Sequence, residues 1–114
     1  MSHLYKLLSR SEWAAAERAG RYAGSALDLK DGFIHLSTAA QAQETARRHF
    51  AGQGDLVLVQ LDAERLGAAL RWEPSRGGDL FPHLYAALNC ALAEAVRPIE
   101  LDSDGTPTLG ELLA

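Results

Sequence analysis

Arg71–Tyr85, RWEPSRGGDLFPHLY, is the stretch on which the reading of this chain turns. Its fifteen residues hold two arginines, two carboxylates, a His, a Tyr, a Trp, two prolines and a Gly-Gly pair. Side chains alternate across a strand, which sends Leu70 and Trp72 to one face and Arg71 and Glu73 to the other. Pro74 lacks an N–H and is expected to end that ladder. Gly77-Gly78 is costly inside a regular element, so Ser75–Asp79 reads as a loop. Alternation resumes after Pro82, with His83 and Tyr85 on one side and Leu84 on the other. A strand end therefore carries Glu73, a strand start carries His83 and Tyr85, and a flexible arginine loop joins them. Ionisable groups on strand ends beside a mobile loop are a common site geometry. The alternative is a polar hairpin connection with an aromatic anchor.

The remaining residues must supply a core for this hairpin. A length of 114 residues predicts a single domain, 1–114, with one real hydrophobic core. A hydrophobic share of 47% and a charged share of 23% are ordinary for a soluble globular protein. The net charge of −4 argues against nucleic-acid binding through a broad basic face and leaves room for a local arginine pocket. The lone Cys90 excludes an internal disulfide, and cysteine-based zinc sites need several thiolates, so a cytoplasmic setting fits best. No apolar run approaches the roughly 20 residues of a membrane span. Lys6, Ser9 and Arg10 interrupt any signal-peptide core near the N-terminus. No metal site is expected, because His35 and His83 lack a third ligand at suitable spacing.

Upstream, His3–Leu8 alternates loosely and reads as a first strand, with Leu4 and Lys6 on one side. Ser9 and Glu12 fit a capping box, Trp13–Ala19 is alanine-rich and helical, and Gly20 is a good stop. Arg21–Asp31 reads as irregular. Asp31-Gly32 signals a turn, and Phe33–Leu36 a short strand with Phe33, His35 and Ser37 on one face. Thr38 and Gln41 form a second capping box that opens a helix to about Phe50. Its stripe of Ala39, Ala42, Ala46 and Phe50 suits close packing on a sheet. His35 thus ends a strand beside Ser37, Thr38 and a helix N-terminus whose free N–H groups attract anions.

Leu56–Leu61, LVLVQL, is apolar on both faces and is the best candidate for a central strand. Asp62–Leu66 suggests one capped helical turn, with Gly67 as its stop. Ala86–Ala95 is ambiguous, its alanines favouring helix. Val96–Leu101 reads as an edge strand around Pro98, Asp102–Gly105 as a turn, and Thr108–Ala114 as a short amphipathic tail or helix. The fold class is α+β: a mostly antiparallel sheet of about five to six strands with two packed helices.

DGFIHLST (Asp31–Thr38), the helix to His49-Phe50, DLVLVQLD (Asp55–Asp62) and RWEPSRGGDLFPHLY together resemble the bacterial and plant family known as domain of unknown function 952. Ala86 departs from it, standing where that family usually has Gly after the Tyr. The family is similar in fold to the ADP-ribosyltransferase group, which implies a split sheet and a NAD-sized cleft. On that resemblance His35 holds a ribose, Tyr85 or Phe81 packs on the nicotinamide, and Glu73 steadies a ribosyl cation. Ser37 and Thr38 would join the nucleotide contacts.

Two functions of different class follow as expectations. One is a NAD-dependent ADP-ribosyl transferase, or its variant that removes a 2′-phosphate from RNA, with Glu73 and His83 as catalytic groups and Arg76 clamping a pyrophosphate. The other is a non-catalytic module that binds a nucleotide or small anion in the same cleft. A dimerising domain without a ligand is a third.

Overall fold

His3–Ser9 forms strand β1, buried on both faces from Leu4 to Leu8. Ser9 caps helix α1 (Arg10–Ala19) by accepting the Glu12 amide. Gly20 ends the helix at φ 84°, a left-handed conformation that only Gly adopts without a Cβ penalty. Arg21–Asp31 is not irregular. Arg21–Tyr22 is strand β2, and Ala26–Asp31 is helix α2, opened by a reciprocal capping box between Ser25 and Asp28. The computed structural model describes residues 2–114.

The strand expected at Phe33–Leu36 is broken in two. Ile34–His35 (β3) and Ser37–Thr38 (β4) pair with different sheets, and the Leu36 amide between them donates to the Pro82 carbonyl at 3.0 Å. Thr38 and Gln41 form the anticipated capping box of α3 (Ala39–His49). After strand β5 (Leu56–Asp62), 3-10 turns over Ala63–Ala69 kink at Gly67. The hairpin is β6 (Leu70–Pro74) and β7 (Leu80–Leu84), joined by a 3-10 turn at Arg76–Gly78. Its ladder is longer than the sequence suggested, since Pro74 pairs with Leu80 and Pro82 lies opposite Trp72. The alanine-rich segment is no helix. It forms β8 (Leu88–Asn89), a 3-10 turn, and the start of β9 (Ala93–Leu101). Strand β10 (Pro107–Thr108) precedes a tail without helix. It pairs only with Glu100 and Leu101, so β9 is an edge strand for just part of its length.

The class is α+β, with every described strand pairing antiparallel. A five-stranded sheet runs β10-β9-β5-β1-β4, a three-stranded one β3-β7-β6, and β2 pairs with β8. Strand β5 is central, as its apolar run required. Alternation divides its side chains between two cores. Leu4, Leu8, Val57, Val59 and Leu61 face Trp13, Tyr22, Ile34 and Leu84. Tyr5, Leu7, Leu56 and Leu58 face the Ala42–Ala46 stripe of α3. Each such Leu or Val stabilises by roughly 1.5–3 kcal/mol before entropy is charged. The small alanines let α3 approach the sheet closely. The register Leu7↔Leu58 and Lys6↔Val59 places Lys6 on the face of Leu4 and Leu8, so a cation enters an otherwise apolar layer.

Candidate functional site

The break at Leu36 makes the site. Residues 34–38 leave the three-stranded sheet and join the five-stranded one, and a cavity of about 640 Å³ opens where the two meet. His35 and Ser37 lie two apart on the bridging segment and both line it, as do Arg76, Phe81 and His83. The flank of α3 closes another side through Ala42, Thr45, His49 and Phe50. That flank, not the helix N-terminus, faces the cavity.

Its polar centre is Asp28, 2% exposed. One carboxylate oxygen accepts the His35 backbone amide at 3.1 Å and lies 2.7 Å from His35 Nδ1. The other accepts the Ser25 amide at 2.8 Å and lies 2.9 Å from Lys6 Nζ. Lys6 also donates to the His35 carbonyl at 3.1 Å. Burial pushes the Asp28 carboxyl up, but hydrogen bonding by His35 and the charge of Lys6 outweigh it and hold the group well below the ordinary carboxylate range. Burial lowers the Lys6 ammonium, and Asp28 opposes that shift. A buried ion pair of this kind is retained only with nearly every hydrogen-bonding position satisfied. On the outer side, His35 Nε2 lies 3.0 Å from Asp31, a half-exposed carboxylate.

Across the β3–β7 ladder His35 is the register partner of His83, and the two rings meet edge-on with centroids 5.5 Å apart. His83 is 5% exposed, and its Nδ1 lies 2.8 Å from Glu73 Oε1. Tyr85 donates to that same oxygen at 2.7 Å. The two hydrogen bonds, Tyr85 first and His83 second, lower the Glu73 carboxyl, and the bond to Glu73 raises the Tyr85 phenol. The Arg71 guanidinium sits 5.1 Å above the Tyr85 ring, and Phe33 stacks on His83 at 4.0 Å. No hydrogen bond among the described residues uses His83 Nε2, and the ring lines the cavity.

Arg76 reaches from the Gly-Gly loop to the same place. It donates to Thr45 Oγ1 at 3.3 Å and lies 4.8 Å above the Phe81 ring, while the buried Ser37 hydroxyl donates to Thr45 at 3.2 Å. Five of the eight residues singled out in the sequence thus line one cavity, His35 and Ser37 beside Arg76, Phe81 and His83. Glu73 stands behind His83, outside the cavity lining. Tyr85 is likewise outside, and the Thr38 hydroxyl is taken by the cap of α3. Lys6, Asp28 and Thr45 were missed. Ser25-Ala-Leu-Asp28 is itself a capping-box pattern, and it was the available signal for α2 and for its buried carboxylate. Ala86 does not have the positive φ that would demand Gly; among described non-glycine residues Asp55 alone does.

The class defined here is an antiparallel α+β protein with a paired-histidine cleft at the seam of two sheets. The chain belongs to the family described as protein of unknown function, DUF952, whose model matches residues 7–96. It is similar to the crystal structure of protein CC0527 from Caulobacter crescentus, 54% identical with a TM-score of 0.94 over 96% of each chain. The solution NMR structure of the same protein is 55% identical, with a TM-score of 0.87 over 96% of this chain and 95% of that one. Nothing among curated proteins matches the chain. No helix among the described residues is long and apolar enough to cross a membrane.

Proposed function

We propose that the cleft binds a nucleotide of the NAD class and that the chain, working as one domain in the cytoplasm, is a transferase acting on its nicotinamide–ribose bond. One observation carries this reading: His35 and His83 face each other in the cavity, each anchored at Nδ1 by its own carboxylate. A cavity of about 640 Å³ in which apolar side chains alternate with charged and polar ones suits a small polar ligand. His35 takes a ribose hydroxyl. Arg76, with most of its donors uncommitted, takes the pyrophosphate. Phe81, inside the cavity, is a better platform for the nicotinamide ring than Tyr85.

The position of Glu73 changes its role from the one the resemblance implies. It is screened from the cavity by His83, so it acts through that ring. When the bond between ribose C1′ and the pyridinium nitrogen breaks, its electron pair goes to nitrogen and nicotinamide leaves neutral, needing no proton. The acceptor hydroxyl bonds to C1′ and gives its proton to His83 Nε2. Glu73 stabilises the resulting imidazolium at Nδ1, as general-base catalysis requires. The acceptor is a hydroxyl compound or water. Asp31 against His35 Nε2 favours a second reading, a module that binds the nucleotide without turning it over.

Incubation of the wild type with NAD, followed by chromatographic detection of nicotinamide, tests the two. Release by the wild type and its loss in His83→Ala support the transferase. Binding of ADP-ribose without release leaves the module, and neither binding nor release removes the NAD reading.

A further inference from the structure

Arg76 is a half-buried cation without a counter-ion. Its guanidinium lies over the Phe81 ring and lines the cavity, yet it makes no ion pair among the described residues. Its hydrogen bond goes to a neutral hydroxyl, Thr45 Oγ1, at 3.3 Å, which is long for a charged donor. A charge withdrawn from water is costly unless it is paired. The carboxylates that line the cavity are already engaged, Asp28 by Lys6 and His35 and Glu12 by Ser9.

Thr45 has a complementary need. Its oxygen accepts from Ser37 at 3.2 Å and from Arg76, which occupies both lone pairs. The hydroxyl can then only donate, and no acceptor among the described residues takes its hydrogen. Helix α3 turns Ala42, Thr45 and His49 into the cavity, a spacing of three and four that keeps them on one helix face. We infer that Thr45 and Arg76 are the paired donors of a subsite for a phosphoryl group, and that Ser37 is a positioning residue that turns the Thr45 O–H toward that ligand. A carboxylate has two oxygens, which the arginine fork alone can fill; a phosphoryl group has a further one for Thr45. A purely donating group such as an ammonium finds no acceptor there. The inference rests on the NAD-class reading for the source of the phosphoryl group, a pyrophosphate, but not for the donor set.

Isothermal titration of the wild type and its variants with inorganic pyrophosphate and with ADP-ribose tests it. Thr45→Val keeps the shape, removes the hydroxyl and should weaken both probes about tenfold, the loss expected of one hydrogen bond to a charged group. Thr45→Ser restores the donor and should bind both within about twofold of the wild type. Ser37→Ala should weaken both about threefold in the wild type. In the Thr45→Val background it should change nothing, because its effect passes through the Thr45 hydroxyl. Pyrophosphate bound with this dependence on Thr45, but ADP-ribose unbound, supports the subsite and overturns the NAD-class reading. ADP-ribose bound equally by the wild type and Thr45→Val overturns the subsite and leaves that reading standing. A wild type that binds neither probe overturns both. A Ser37→Ala loss that persists in Thr45→Val overturns the positioning role.

Discussion

Lys6→Met isolates a buried carboxylate, and the structure sets the size of the effect. Methionine has nearly the length of the lysine stem and suits the layer of Leu4, Leu8 and Val59 into which that stem extends. The loss is therefore electrostatic: Asp28, 2% exposed, is left without the ammonium 2.9 Å away. Removing one partner of a buried pair costs about 3–5 kcal/mol. The Ser25 amide, the His35 amide and the His35 ring still solvate the carboxylate, which places the expected loss near the lower end, about 3 kcal/mol. Unfolding 114 residues releases about 0.24 kcal/mol/K near the transition, so Tm should fall by about 12 °C. Differential scanning calorimetry at pH 7, with urea unfolding as a second probe, measures it. A fall under about 4 °C would show that the pair is not desolvated and would refute the reasoning. The same variant should also change the response to acid. The folded Asp28 carboxyl is held below its ordinary range, so the unfolded chain takes up the proton first as pH falls. Its stabilisation is fully present above the unfolded value of about 3.9 and is lost on descending from there through the folded value. Lys6→Met narrows that gap, and its acid loss of stability should be shallower than that of the wild type.

Glu73→Gln should leave ADP-ribose affinity within about twofold and cut nicotinamide release about 100-fold, because the carboxylate acts only on the charged His83 ring; parallel isothermal titration and nicotinamide assays check it, and equal losses in both would place Glu73 in ground-state binding. Thr38→Ala removes the capping box of α3 and should cost about 1 kcal/mol, or about 4 °C in Tm by the same conversion, read by circular dichroism. Amide hydrogen exchange over Ser75–Leu80 should be fast in the free protein, where Gly77 and Gly78 both have positive φ, and should slow when ADP-ribose engages Arg76; exchange equal at saturation would remove any closure of that loop.

Much of the hairpin was legible because its signals are local. Register follows from alternation, so Glu73, Phe81 and His83 had to share a face once residues 71–85 were a hairpin. The caps at Ser9 and Thr38 were readable for the same reason, each being set by residues three apart. The long-range decisions were hidden. Residues 34–38 alternate without interruption, and nothing in that pattern tells that Leu36 turns to Pro82 while Ser37 pairs with Tyr5. Pro82 reads as a strand breaker, yet it keeps its place opposite Trp72 while its carbonyl turns to the other side and accepts the Leu36 amide, so the missing N–H costs the β6 ladder nothing. The Asp28 hub escaped notice because its partners are scattered along the chain, at Lys6, Ser25 and His35, and Arg21–Asp31 read as irregular. Lys6 between Tyr5 and Leu7 was the remaining clue, since a lysine flanked by residues buried on both faces needs a buried anion.

The most direct measurement of the central claim is a 1H–15N NMR titration of the wild type with ADP-ribose and NAD, following the backbone amides and histidine rings. The cleft reading predicts shifts that saturate and concentrate at His35, Ser37, Thr45, Arg76, Phe81 and His83, with the outer face of the hairpin at Trp72 unmoved. Spectra unchanged at millimolar nucleotide, or shifts that cluster away from His35 and His83, would contradict it.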